Sequence, residues 1–184
     1  MNKIIRKPYW NFENEENWLN EMSQSGYCLI KYTWCKYVFE SCERGEYIYR
    51  LEYLEYDFND NRTTKYIEFL EEMGVEYVSH YMRWVYFRKK ASDGPFEIYS
   101  DIDSKITHLE RISKWWISLT IIEFLIGISN MFLGIMHLIQ DDFVSINLSL
   151  GIGLTLAGLF FLSIAYPVRQ ALKRLQRERN ISEI

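Results

Sequence analysis

Among the residues able to do chemistry, Glu123 stands out because it is the only ionisable side chain well inside a long apolar stretch of this 184-residue chain. Counted from Trp115 it lies about 12 Å along a helix axis, and an isolated charge at such a depth in lipid costs a few kcal/mol. It therefore needs a partner or a proton. One reading makes it an intramembrane proton or ion site, or a handle for another membrane protein. The other makes it a neutral or hydrogen-bonded acid, with Ser163 as a partner on the neighbouring helix. A proton pathway normally needs several polar groups in series, which favours the second. Ser149, Gly153 and Ala157 recur every four residues further along, and small residues at that spacing let helix backbones approach. They form a candidate helix-packing face, turned either to the first apolar helix or to a second copy of the chain.

The N-terminal part carries a heavy aromatic load. Trp34, Tyr37, Tyr49, Trp84 and Tyr86 form a candidate aromatic binding surface for a hydrophobic or cationic small molecule. The plainer alternative is that alternate rings fill the layer beneath helices. Three cysteines, Cys28, Cys35 and Cys42, have no CxxC spacing, so reduced thiols are expected in a cytosolic domain. In extended chain Cys35 points away from the other two, and His80, His108 and His137 are scattered; no metal site is expected. Nucleophile-elbow, Walker, zincin and dinucleotide fingerprints are missing from the sequence. No catalytic residue, no enzyme activity and no cofactor are expected.

The elements that would position these residues divide sharply. Residues 1–114 hold 16 basic and 20 acidic side chains, whereas residues 115–168 hold three charges. Trp115 to Ile139 and Phe143 to Val168 are each long enough to cross the ~30 Å hydrocarbon layer. Only Gln140, Asp141 and Asp142 separate them, which predicts a transmembrane hairpin with a short external turn. Basic residues lie before the first span and, as Arg169, Lys173, Arg174, Arg177 and Arg179, after the second. Both termini are therefore expected in the cytoplasm of a cell with this hairpin in its inner or plasma membrane. Trp115, Trp116 and Tyr166 suit the inner headgroup level. The excess of acid over base before the spans disfavours nucleic acid as a partner.

Within residues 1–100 the spacing predicts amphipathic helices over 13–25 and from about Asn61 to Met73, each ended by a glycine, Gly26 or Gly74. In the first, Glu13, Glu15 and Glu16 suit the helix dipole and Trp18, Leu19 and Met22 form the apolar stripe. Segments rich in aromatic and β-branched residues follow each helix and predict hairpins: Tyr27 to Thr33 with Lys36 to Cys42, and Val75 to Tyr81 with Met82 to Lys89. Strands are expected before the helices, over Lys3 to Trp10 and Glu46 to Tyr56, the latter with Tyr47, Tyr49, Leu51 and Tyr53 on one face and Arg50 and Glu52 on the other. WLNEM (18–22) matches FLEEM (69–73), KYVFE (36–40) matches RWVYF (83–87), and GEYIY (45–49) matches GPFEIY (94–99).

These matches predict an α+β fold. A strand-helix-strand-strand unit occurs twice, its strands joined in one antiparallel sheet with two helices on one face. A short strand is expected at Phe96 to Tyr99. Then comes an amphipathic connecting helix over 101–114, uninterrupted by Gly or Pro between Lys105 and Trp116. Spans over 115–139 and 143–168 and a basic tail over 169–184 complete the chain.

The helix ending WLNEM before Gly26-Tyr27, the YIYRLEY strand (47–53), Trp84, Tyr86 and Phe87 followed by Arg88 and Lys89, and EIYSDIDSKITHLER (97–111) together resemble the bacterial domain-of-unknown-function family 2812, over roughly residues 3–112. The resemblance implies a membrane-anchored protein often encoded near a PadR-type transcriptional regulator, and so a regulatory setting. It carries no catalytic residues.

Two functional expectations follow. The first is a membrane-anchored cytoplasmic sensor or adaptor domain that binds a small molecule or a regulatory protein partner. The second is an accessory subunit of a membrane transporter or complex, docked through its hairpin. The expected partners are the bilayer, a membrane protein or transcriptional regulator, and a second copy of the chain.

Overall fold

The computed structural model describes residues 3–99, 101–139 and 146–182. The chain divides into two compact units, Met1–Ser100 and Asp101–Ile184.

In the first unit the elements run β1 (Lys3–Arg6), α1 (Phe12–Gln24), β2 (Tyr27–Thr33), β3 (Lys36–Ser41), β4 (Tyr47–Tyr53), α2 (Asn61–Glu72), β5 (Glu76–Tyr81) and β6 (Trp84–Lys90). Both helices begin at a side-chain cap. The Asn11 side chain accepts from Asn14 N at 3.0 Å and the Asp60 carboxylate from Arg62 N at 2.9 Å, satisfying amides that the helix leaves unpaired. Each helix is followed by a glycine at positive φ, Gly26 at 83° and Gly74 at 80°.

The expected single sheet is instead two three-stranded antiparallel sheets, β1-β3-β2 and β4-β6-β5. Their edges β2 and β5 meet through a side chain: Tyr32 N donates to Ser79 Oγ at 3.1 Å, and Ser79 Oγ donates to Tyr32 O at 3.2 Å. The reason lies in the edges themselves. β2 shifts register between Leu29 and Lys31 and β5 between Tyr77 and Ser79, and a bulge bends a strand out of ladder geometry.

The duplication is plain in the backbone. Both halves have the same strand order, the same edge-strand bulge, and the same unusual turn, with Cys35 at φ 53° and Met82 at φ 54°. The segment at Phe96 to Tyr99 is no strand. It still contributes Phe96 to a core with Leu54, Leu70, Val75, Val85 and Phe87. The other core joins Leu19, Leu29, Tyr37 and Phe39 to Tyr49, Leu51 and Tyr86, so α1 covers strands of both halves.

The second unit is a pair of helices, α3 (Ile102–Ile139) and α4 (Ile146–Ser182), both long and apolar enough to cross a membrane. The expected turn over 140–142 lies outside the described residues. At roughly 57 Å for 38 residues, α3 is nearly twice the hydrocarbon thickness, and α4 runs on through Pro167 into the basic segment. The helices meet at glycines. A Cβ added at Gly134 would lie 2.5 Å from Leu148 N, one at Gly151 2.6 Å from Met131 N, and one at Gly127 2.8 Å from Thr155 Oγ1. Close helix approach of this kind is what small residues permit in lipid.

Candidate functional site

The α1 cap places Glu15, Leu19 and Ser23 at intervals of four on the buried face of the helix. Glu15 is 7% exposed. Its Oε1 accepts two hydrogen bonds, from Tyr37 Oη of β3 at 2.6 Å and from Tyr86 Oη of β6 at 2.5 Å. Those are the short distances of charge-assisted O–H···O bonds. Each hydroxyl comes from a different half of the duplicated unit, so the carboxylate ties the two halves together. The Tyr32 ring lies 4.7 Å from that of Tyr37 and 4.6 Å from that of Tyr86, and Trp18 stands edge-on to Tyr37 at 4.9 Å. Lys7 Nζ sits over the Tyr9 and Trp18 rings, 4.6 and 5.0 Å from their centroids.

Burial raises the Glu15 carboxyl above its ordinary range, and the two tyrosine hydroxyls only partly oppose this. Burial, then the Glu15 charge, pushes Tyr37 and Tyr86 well above the usual phenol value, so both remain donors. No Lys, Arg or His among the described residues forms an ion pair with Glu15. Its neighbour Glu16 does have one, with Arg50 Nε at 3.7 Å, and its Oε1 also accepts from the Leu51 amide at 3.3 Å. Burial nevertheless raises Glu16 to about 7.

A second carboxylate is held similarly. Glu52 of β4, expected on the strand face away from Tyr49 and Leu51, is 3% exposed and accepts from Tyr66 Oη and Tyr99 Oη, both at 2.8 Å. Tyr66 of α2 and Tyr99 from the chain after β6 cover that face.

The five aromatic residues singled out from sequence do not form one surface. Tyr37, Tyr49 and Tyr86 are core residues, and Tyr49 Oη accepts from Leu29 N at 2.8 Å beside the β2 bulge. Trp84 is half-buried between Phe12 and Tyr53. Trp34 is 71% exposed at the β2–β3 turn, edge-on to Tyr81. Glu15, which organises the pair, suits the helix dipole in the sequence; its place four residues before Leu19 on the apolar stripe is the signal that marks it.

The cysteines also differ from expectation. Cys28 and Cys42 form a disulfide with Cα atoms 5.8 Å apart, and Cys35 is free. The β2–β3 register, with Tyr27 opposite Ser41 and Cys28 opposite Glu40, brings the two thiols together on one face. A Glu46 carboxylate oxygen lies within 4.8 Å of both sulfurs, but sulfurs joined in a disulfide are not thiolate ligands.

In the hairpin, Ser163 Oγ donates to Phe160 O of its own helix rather than to Glu123. Glu123 Oε2 is buried with no hydrogen-bond partner among the described residues. A Cβ at Gly158 would sit 3.4 Å from Glu123 Cβ, whereas one at Gly153 would meet nothing within 4 Å. The face that meets α3 is therefore Gly151, Thr155 and Gly158. Ser149 and Gly153 are exposed.

Compared with known proteins, residues 11–121 match the model of a family described as a protein of unknown function, DUF2812. The match spans more than half of the chain, which belongs to that family. No curated protein and no solved structure matches it.

Proposed function

We propose that this member of the DUF2812 family is a membrane-anchored sensor or adaptor, whose N-terminal unit lies in the cytoplasm and binds a small molecule or a regulatory protein, with no catalysis of its own. The observation that carries the reading is Glu15, a buried carboxylate bonded by one tyrosine from each half of the unit. Any ligand that draws on this carboxylate or its tyrosines alters the contact holding the halves together. Helix α3 continues without Gly or Pro from Ile102 to Gly127, a stiff segment able to pass strain towards the bilayer. The basic residues flanking the two apolar helices support both termini being cytoplasmic.

The test is thermal unfolding of the full chain in lipid nanodiscs, with and without cytosolic small-molecule and protein fractions. A ligand at 100 times its dissociation constant adds about 2.7 kcal/mol to stability. A rise in midpoint that disappears in Tyr37→Phe/Tyr86→Phe supports the reading; no rise with either fraction removes it.

A second reading, an accessory subunit docked through its hairpin, is favoured by the unpartnered Glu123 Oε2 and the outward Ser149 and Gly153. It predicts a stoichiometric membrane partner in mild detergent that is lost on Glu123→Leu or Gly153→Leu. Purification without such a partner counts against it.

A further inference from the structure

We propose that the Glu15 centre is a binding site for an organic cation, which supplies the positive charge that the fold itself leaves out. This rests on the ligand-binding reading above and names the ligand class of the same site. Three observations converge. First, both hydroxyl donors aim at a single carboxylate oxygen at 2.5–2.6 Å, the geometry of an ionised acceptor, and no side-chain cation among the described residues pairs with it. A buried carboxylate without a counter-charge is costly, and the cost falls when a cation arrives.

Second, the groups that interact with Glu15 are neutral and aromatic: Tyr37 from β3, Tyr86 from β6, Tyr32 from β2 and Tyr9 from the segment before α1, with Trp18 packed edge-on against Tyr37. Ring faces attract cations, most strongly where water is excluded. Third, the protein already places a cation at the rim of this group, with Lys7 Nζ over Tyr9 and Trp18. Tyr9, Trp18 and Tyr32 are half-buried, so they are the partly exposed members of the group, and entry of a ligand requires these rings to shift.

A quaternary or tertiary ammonium fits this chemistry better than a small hydrated ion, because aromatic walls cannot replace a hydration shell. Binding favours the charged carboxylate, whose proton affinity burial has raised. Affinity therefore rises with pH through the range where free Glu15 titrates and levels off above it. Tyr9, Tyr32, Tyr37 and Tyr86 all have raised values and stay protonated across that range.

The probes are choline and its neutral carbon isostere, in which a tert-butyl group replaces trimethylammonium. Binding is measured by calorimetry on the full chain in nanodiscs, with empty discs subtracted. Expected are saturable choline binding, isostere binding weaker by roughly tenfold or more, affinity that climbs with pH, and loss of choline binding in Glu15→Gln, which keeps an acceptor for both tyrosines. Choline binding in Glu15→Gln equal to wild type, a flat pH profile, or no choline binding overturns the proposal. Equal binding of choline and isostere overturns the cation but leaves the aromatic site and the sensor reading standing. The isostere and pH arms use the wild-type chain, so they decide the matter even if the variant does not fold.

Discussion

Tyr37 and Phe39 in the first half of the soluble unit stand where Trp84 and Tyr86 stand in the second, 47 residues further on. Position by position, the two halves share strand order, bulge, turn and capped helix, yet each lacks what the other has. One hydroxyl of the Glu15 pair comes from Tyr37, and the other comes from the position equivalent to Phe39. Glu15 itself has Tyr66 as its counterpart at the helix offset of 51, and Tyr66 serves a different carboxylate, Glu52. Duplication supplied a frame with matching surfaces, and divergence at three positions made one polar centre that neither half could build alone. The helices differ in the same sense: α1 lies on strands of both sheets, while α2 belongs to the local core of its own half.

The contrast can be broken at its strongest point by cavity formation. Leu19→Ala removes a fully buried side chain shared by both halves and is expected to cost about 3–5 kcal/mol, against about 2–3 for Leu70→Ala. Chemical denaturation of the full chain measures both, and equal losses would erase the distinction. Reduction of Cys28–Cys42, present only in the first half, should remove about 3 kcal/mol from a loop spanning 14 residues. Melting with and without reductant checks this.

Tyr86→Phe should cost about 1–3 kcal/mol by leaving Glu15 one donor short, with a smaller loss for Tyr66→Phe, whose side chain is half-buried.

The last effect is pH dependence. Glu15 and Glu16 have folded values above their unfolded ones, so their contribution to stability is complete below the ordinary carboxylate range. It declines as pH rises, for Glu16 through about 7. Midpoints measured from pH 4 to pH 8 should fall with a slope that Glu15→Gln/Glu16→Gln flattens.

Much of the frame was legible because it is written in local patterns. Period and caps locate α1 and α2, aromatic, β-branched and alternating runs locate six strands, and uninterrupted apolar length locates α3 and α4. What the sequence concealed depends on contacts between distant segments. The bulges that divide one sheet into two, the pairing of Cys28 with Cys42, and the return of Tyr99 onto Glu52 are decided by register and chain return. Likewise Ser149, Gly153 and Ala157 have the right spacing for packing, but the rotation of α4 puts Gly151 and Gly158 at the seam. Tyr37 and Tyr86 were singled out as aromatic. Their shared acid went unnoticed because a glutamate in a first helical turn already has a sufficient explanation.

Cys35 and Met82, at matching hairpin tips, both hold a backbone conformation that side chains with a Cβ disfavour. Replacing either with glycine should relieve about 1 kcal/mol, and neither residue touches Glu15. The two turns thus offer an engineering margin: a sturdier scaffold in which the polar centre can be dismantled piece by piece without losing the fold that displays it.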